Sequence, residues 1–109
     1  MTVSIVTHII VDPDKLDLGN AFAEDITADV LANEPGTIFY QFYRHAERPN
    51  EMWAVQTYRD EEARKTHLSH HKHRGASSAE FMLECTMNFA EEMSHPLSAK
   101  AHVHGGVKS

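Results

Sequence analysis

The sequence predicts an α+β domain with the element order β-α-β-β-α-β, the ferredoxin-like arrangement in which helices cover one face of an antiparallel sheet. Three observations lead there. The chain opens on a β-branched run, VSIVTHIIV. A stretch from Leu16 to Asn33 then repeats apolar residues every fourth position, and two aromatic-rich runs follow on either side of a polar loop.

Bulk properties limit what such a domain does. With 109 residues there is room for one core, so 1–109 is read as a single domain with a loose tail from about Gly105. A composition of 41% apolar and 24% charged residues is that of an ordinary globular chain rather than a disordered one. A formal net charge of −6 offers nothing to a polyanion, so nucleic acid is not an expected partner. No apolar run approaches the roughly 18 residues of a membrane span, and the first residues lack a secretory leader. A cytoplasmic location is expected. The single cysteine, Cys85, cannot pair internally and is read as buried filler in a helix.

Each element follows from its own chemistry. Val3 to Val11 alternates two partly apolar sides and ends at Asp12-Pro13-Asp14, where proline removes a ladder donor. In the first helix Leu18, Phe22, Ile26 and Val30 form a stripe, widened by Ala23 and Leu31, that lies against a sheet. Glu34-Pro35-Gly36 stops it, with the glycine expected in a left-handed cap. Thr37–Arg44 (TIFYQFYR) and Met52–Arg59 (MWAVQTYR) form an antiparallel hairpin. Both sides of that hairpin are rich in apolar groups, so the sheet face away from the helices is expected to be covered by a second subunit.

Asp60 caps a short polar helix carrying Glu61, Glu62, Ala63, Thr66, His67 and His70. Gly75 interrupts it. Ser77-Ser78 is read as a new cap, and Met82, Cys85, Phe89 and Met93 as one face of a further helix that runs to Pro96. Leu97–Val103 is read as the closing strand.

Histidines supply the chemistry. His67 and His71 lie four apart, among His70 and His73, which invites a metal; no third protein ligand or metal motif accompanies them, and no metal is expected. Imidazole exchanges protons near neutral pH without a cofactor, which makes His67, and His71 one turn on, candidates for general acid/base work. The alternative for His67 is a cap on the sheet edge, donating to a backbone carbonyl. His8, inside an apolar strand, is read as a satisfied core histidine. Tyr40, Trp53 and Tyr58 combine flat apolar area with polar tips and suit a pocket for a partly hydroxylated ring, or equally a core or subunit interface. There is no glycine-rich phosphate loop, nucleophile elbow or CxxC pair.

From EPGTIFYQFYR through MWAVQTYRDEEARKTHL the chain resembles the antibiotic biosynthesis monooxygenase family of dimeric α+β barrels. Gly36, Ala63 and the His67-Leu68 pair match that family's pattern, whereas Gln56 and Tyr58 stand where it has Glu and Trp. The resemblance implies a homodimer that oxidises a small phenol or quinol with molecular oxygen and no cofactor. His67, or His71 in its place, would be the catalytic base. Gln56 and Tyr58 would orient the substrate, with Trp53, Tyr40 and Phe22 as walls. Gln56 would hydrogen-bond but carry no charge. The residues used by haem-degrading relatives have no match, so haem degradation is not expected. The competing reading is a non-oxygenase of the same fold: an isomerase, or a ligand-binding or stress-responsive barrel.

Overall fold

Residues 1–93 of the computed structural model are described here. Four antiparallel strands, β1 (Val3–Val11), β2 (Thr37–Arg44), β3 (Glu51–Tyr58) and β4 (Met82–Ala90), form one sheet in the order β2-β3-β1-β4. Helix α1 (Leu16–Asn33) lies between β1 and β2, while α2 (Glu61–His70) and the short α3 (Arg74–Ser78) lie between β3 and β4. This is the ferredoxin-like α+β arrangement.

Side-chain alternation decides which residues meet the helices. Along β1, Ile5, Thr7, Ile9 and Val11 are buried, and opposite them β3 contributes Met52, Ala54, Gln56 and Tyr58. α1 seats Gly19, Ile26 and Val30 against this face, with Phe22 half-buried between Phe42 and Phe81. The packed stripe is thus rotated from the expected one, because the bare backbone of Gly19 sits against Val11 and leaves Leu18 and Leu31 exposed.

Helix α2 is positioned by two contacts, of which the sequence announces the first. Asp60 accepts from the Ala63 backbone N–H at 2.8 Å, capping the first turn. Gly36 has no positive φ, so its role is proximity and not a left-handed cap: a Cβ there would lie 2.7 Å from the Ala63 Cβ. The absence of a side chain lets α2 approach the start of β2.

The largest departure from expectation is β4. Met82–Ala90 is a strand paired with β1 over its length, not a helix. Met82, Cys85 and Phe89 have helical spacing, but Leu83, Cys85, Met87 and Phe89 also alternate with polar residues. β1 has a free edge once β3 occupies the other side, and backbone pairing along that edge selects the two-residue period. Cys85 is consequently exposed on a strand and is not helix filler. Ser77 and Ser78 end α3 and do not cap a longer helix. The expected strand at Leu97–Val103 lies outside the described residues; β4 takes the last place in the predicted order.

The opposite face of the sheet meets no helix among the described residues. It carries Phe39 and Tyr43, 44% and 51% exposed, beside half-buried Val6, Ile10, Trp53 and Val55.

Candidate active site

Between α1, α2 and the sheet lies a cavity of about 120 Å³. A 150 Å³ apolar cavity is enough for benzene, so the space is on the scale of one aromatic ring. Phe22, Tyr40, Phe42, Gln56, Tyr58 and His67 line it, with Ile5, Thr7 and Ile9 from β1 and Met82, Cys85 and Met87 from β4.

Five of the residues expected from sequence therefore meet around one space: Phe22, Tyr40, Gln56, Tyr58 and His67. Two do not. Trp53 has the opposite parity on β3 from Ala54 and Gln56, so it leaves the sheet on the outer face and packs against His8 and His45 at centroid distances of 5.3 and 5.9 Å. His71 is buried behind His67, outside the cavity lining, and both of its ring nitrogens are already bonded. Neither nitrogen is left open toward the cavity.

The cavity wall has a directed polar chain. Tyr58 donates its hydroxyl proton to Gln56 Oε1 at 2.6 Å, and Gln56 Nε2 donates to Thr7 Oγ1 at 3.2 Å. Gln56 thus holds the Tyr58 hydroxyl in place, which leaves that oxygen free only to accept. Burial, followed by the neighbouring Tyr40 and Glu34, raises the Tyr58 pKa beyond the usual phenol range. Tyr40 is buried as well and its pKa is raised, again chiefly by burial and then by Glu34. Its hydroxyl makes no side-chain hydrogen bond among the described residues, so it remains available as a donor.

His67 sits between those two tyrosines, 5.3 Å from each ring centroid. Its Nδ1 is 2.8 Å from Glu34 Oε1, and the two side chains are 8% and 3% exposed. Glu34, which the sequence marks only as part of a helix stop, is the partner that the structure adds. A signal was present, because a carboxylate at a helix C-terminus faces the negative end of the dipole, and the last turn of α1 has no basic residue to offset it. The compensation comes from α2. His70 Nδ1 and His71 Nε2 lie 3.0 and 2.5 Å from Glu34 Oε2, and Thr37 Oγ1 donates to Oε1 at 3.1 Å. Burial alone would raise the Glu34 pKa; bonds to His67, His71 and His70 outweigh it and hold the carboxyl below its ordinary range. Burial lowers the His67 pKa despite Glu34, so at neutral pH His67 is the free base.

This arrangement also supplies the third donor that the metal reading lacked: donor atoms of Glu34, His67 and His71 lie within 4.8 Å of one another. The wiring is unsuited to a cation, however. Arg74 Nε donates to His71 Nδ1 at 2.9 Å, which obliges His71 to carry its proton on Nε2, the atom a metal would need. What the cluster does chemically is orient His67 with a buried carboxylate, as in other carboxylate–histidine pairs.

Comparison with known proteins agrees with the fold. No curated protein matches the sequence. Solved structures with the same fold include a Bacteroides thetaiotaomicron protein and a Caulobacter crescentus protein, each carrying the name antibiotic biosynthesis monooxygenase. The first is 24% identical, with a TM-score of 0.82 over 88% of this chain and 93% of its own. The second is also 24% identical, with a TM-score of 0.78 over 85% and 91%. Rv0793 from Mycobacterium tuberculosis, at 17% identity, superposes with a TM-score of 0.78 over 88% and 99%. The model of the antibiotic biosynthesis monooxygenase family matches residues 2–79, which include Glu34, Gln56, Tyr58 and His67. The chain therefore belongs to the antibiotic biosynthesis monooxygenase family.

Proposed function

We propose that the protein is a cofactor-independent monooxygenase that oxidises a small phenol or quinol with molecular oxygen. The observation that carries this reading is the buried Glu34–His67 pair at the wall of a ring-sized cavity. His67 Nε2 takes a phenolic proton, and Glu34 steadies the resulting imidazolium at Nδ1. Tyr40 donates to the phenolate oxygen. The electron-rich anion then passes an electron to oxygen, and the apolar walls confine the radical pair until it recombines. For a quinol the balance is QH2 + O2 giving a hydroxyquinone and water, so the substrate supplies all the reducing equivalents.

The test is oxygen uptake with a panel of monocyclic and bicyclic hydroquinones, corrected for autoxidation, together with 18O2 incorporation into product. Uptake that depends on His67 supports the assignment. Equal uptake by His67→Ala would remove His67 as the base, and no uptake with any member would argue against this oxygenase. A second reading is favoured by the same proton-transfer pair: an isomerase that abstracts an acidic C–H. It would show solvent deuterium entering a carbonyl ligand without oxygen consumption.

The protein further acts as a homodimer on this reading, with the outer face of each sheet against a second copy. Supporting it is the row of Phe39, Tyr43, Trp53 and Val55 on a face that no helix covers among the described residues. Light scattering tests it: a monomer at micromolar concentration would refute the pairing, and Val55→Asp should dissociate a dimer built this way.

A further inference from the structure

We propose that Arg74, outside the cavity lining, is a positioning residue that fixes the His71 tautomer and so keeps a donor on Glu34, the carboxylate that sets which nitrogen of His67 is the free base. The proposal deepens the reading of His67 as base and rests on it for its catalytic meaning. Its structural content stands separately.

The argument is a chain in which each link has one permitted direction. A guanidinium has donors and no acceptor. Arg74 Nε lies 2.9 Å from His71 Nδ1, so that nitrogen must present its lone pair. The one proton of His71 is then on Nε2, which makes it the donor to Glu34 Oε2. An ionised carboxylate only accepts. With Oε2 held by His71 and His70, Oε1 faces His67 Nδ1 and Thr37 Oγ1, and both donate to it. His67 therefore carries its proton on Nδ1, and Nε2 is left with a lone pair and no protein partner among the described residues.

Arg74 is itself fixed from the other side. Its second nitrogen donates to Asp29 Oδ2 at 3.1 Å, and Asn33 Nδ2 donates to Asp29 Oδ1 at 2.6 Å. The path Asn33–Asp29–Arg74–His71–Glu34–His67 thus runs from the exposed side of α1 to the cavity wall. It joins α1, the loop after it, α2 and α3. The charged and titratable groups packed around Glu34 are His67 and His70 from α2, His71 just after it, Arg74 from α3, Asp29 from α1, Tyr40 from β2 and Tyr58 from β3.

Imidazole 15N–1H long-range spectra read the tautomers directly. For the wild type at pH 7.5, His71 should be protonated at Nε2 and His67 at Nδ1. Arg74→Met should release His71 to take up the other tautomer, moving the His71 nitrogen shifts toward an average of the two forms and shifting His67 Nδ1 as Glu34 loses that donor. Arg74→Lys, which keeps a donor, should restore the wild-type pattern. Oxygen uptake should fall in the Met variant and recover in the Lys variant, with the indole signal of Trp53 on the far face reporting an intact sheet. Wild-type His67 protonated at Nε2 would overturn the proposal without any variant. So would an unchanged His67 spectrum in Arg74→Met, or stoichiometric Zn2+ displacing the His67 and His71 signals of the wild type. If the tautomers are as stated but His67→Ala retains full oxygen uptake, the positioning chain stands and the base assignment falls.

Discussion

Two histidine–glutamate pairs of almost equal length lie on opposite faces of the same sheet. His67 and Glu34 meet at 2.8 Å on the cavity face, while His8 and Glu51 meet at 2.7 Å on the outer face beside Trp53. Distance does not separate them. Surroundings do: His8 is 32% exposed, and its carboxylate is shared with the exposed Arg48, whereas the inner pair is buried and its carboxylate is bonded by three histidines and Thr37. Charges in water gain little from pairing, because solvent already stabilises each of them and salt screens what remains. The inner pair has lost that solvent, so its hydrogen-bond partners are what keep Glu34 ionised and His67 oriented. The same two residue types form a partly exposed pair in one place and a buried, fully directed one in the other.

The contrast is sharpest in turnover. His67→Ala should lower oxygen uptake with a responsive quinol by ~10²–10⁴-fold, the usual contribution of a positioned general base, while His8→Ala should leave it unchanged. Stability should separate the carboxylates next. Glu34→Gln presents an amide donor to groups that are already donors, and should cost about 3 kcal/mol in urea denaturation, as for other broken buried ion pairs. Glu51→Gln, at a pair that solvent screens, should cost distinctly less. The seating of α2 is a third test, since Gly36→Ala places a methyl against Ala63. It should destabilise by ~1–3 kcal/mol and should lower turnover by moving His67.

Acid should give the smallest and most gradual difference. His67 has a folded pKa below the ordinary 6.5, so on acidification the unfolded chain takes up the proton first, and stability falls as the pH drops from about 6.5 to the lower folded value. Glu34 also has a lowered pKa, from an ordinary 4.5, so its contribution is full above that value and is lost as the pH falls through the folded one. Both act in the same direction. Denaturation midpoints between pH 7 and 4 should decline, and His67→Ala should flatten the upper part of the curve. Glu51, held at about 2 first by Arg48 and then by His8, should contribute only to the loss below about 4.5, and added salt should weaken that contribution.

Much of the inner site was legible locally. The Asp60 cap and the aromatic hairpin are short-range features, and they place Tyr40, Gln56, Tyr58 and His67 on neighbouring elements. Trp53 was misplaced because a strand's inner face follows from parity, and both parities of β3 carry apolar or aromatic groups. Residues Met82–Ala90 were misread because their apolar positions satisfy two periods at once, and only the free edge of β1 distinguishes them. Glu34 looked like punctuation since its partners are 33 to 37 residues away.

The sequence alone determined the first strand and helix, the aromatic hairpin and the Asp60 cap, because capping and alternation act between residues near in the chain. Tertiary structure decided which face each strand presents, that β4 exists, and that Glu34 orients His67 instead of merely ending a helix. Those outcomes depend on pairing and burial between distant segments, and a buried carboxylate acquires its role only from the donors that packing brings to it.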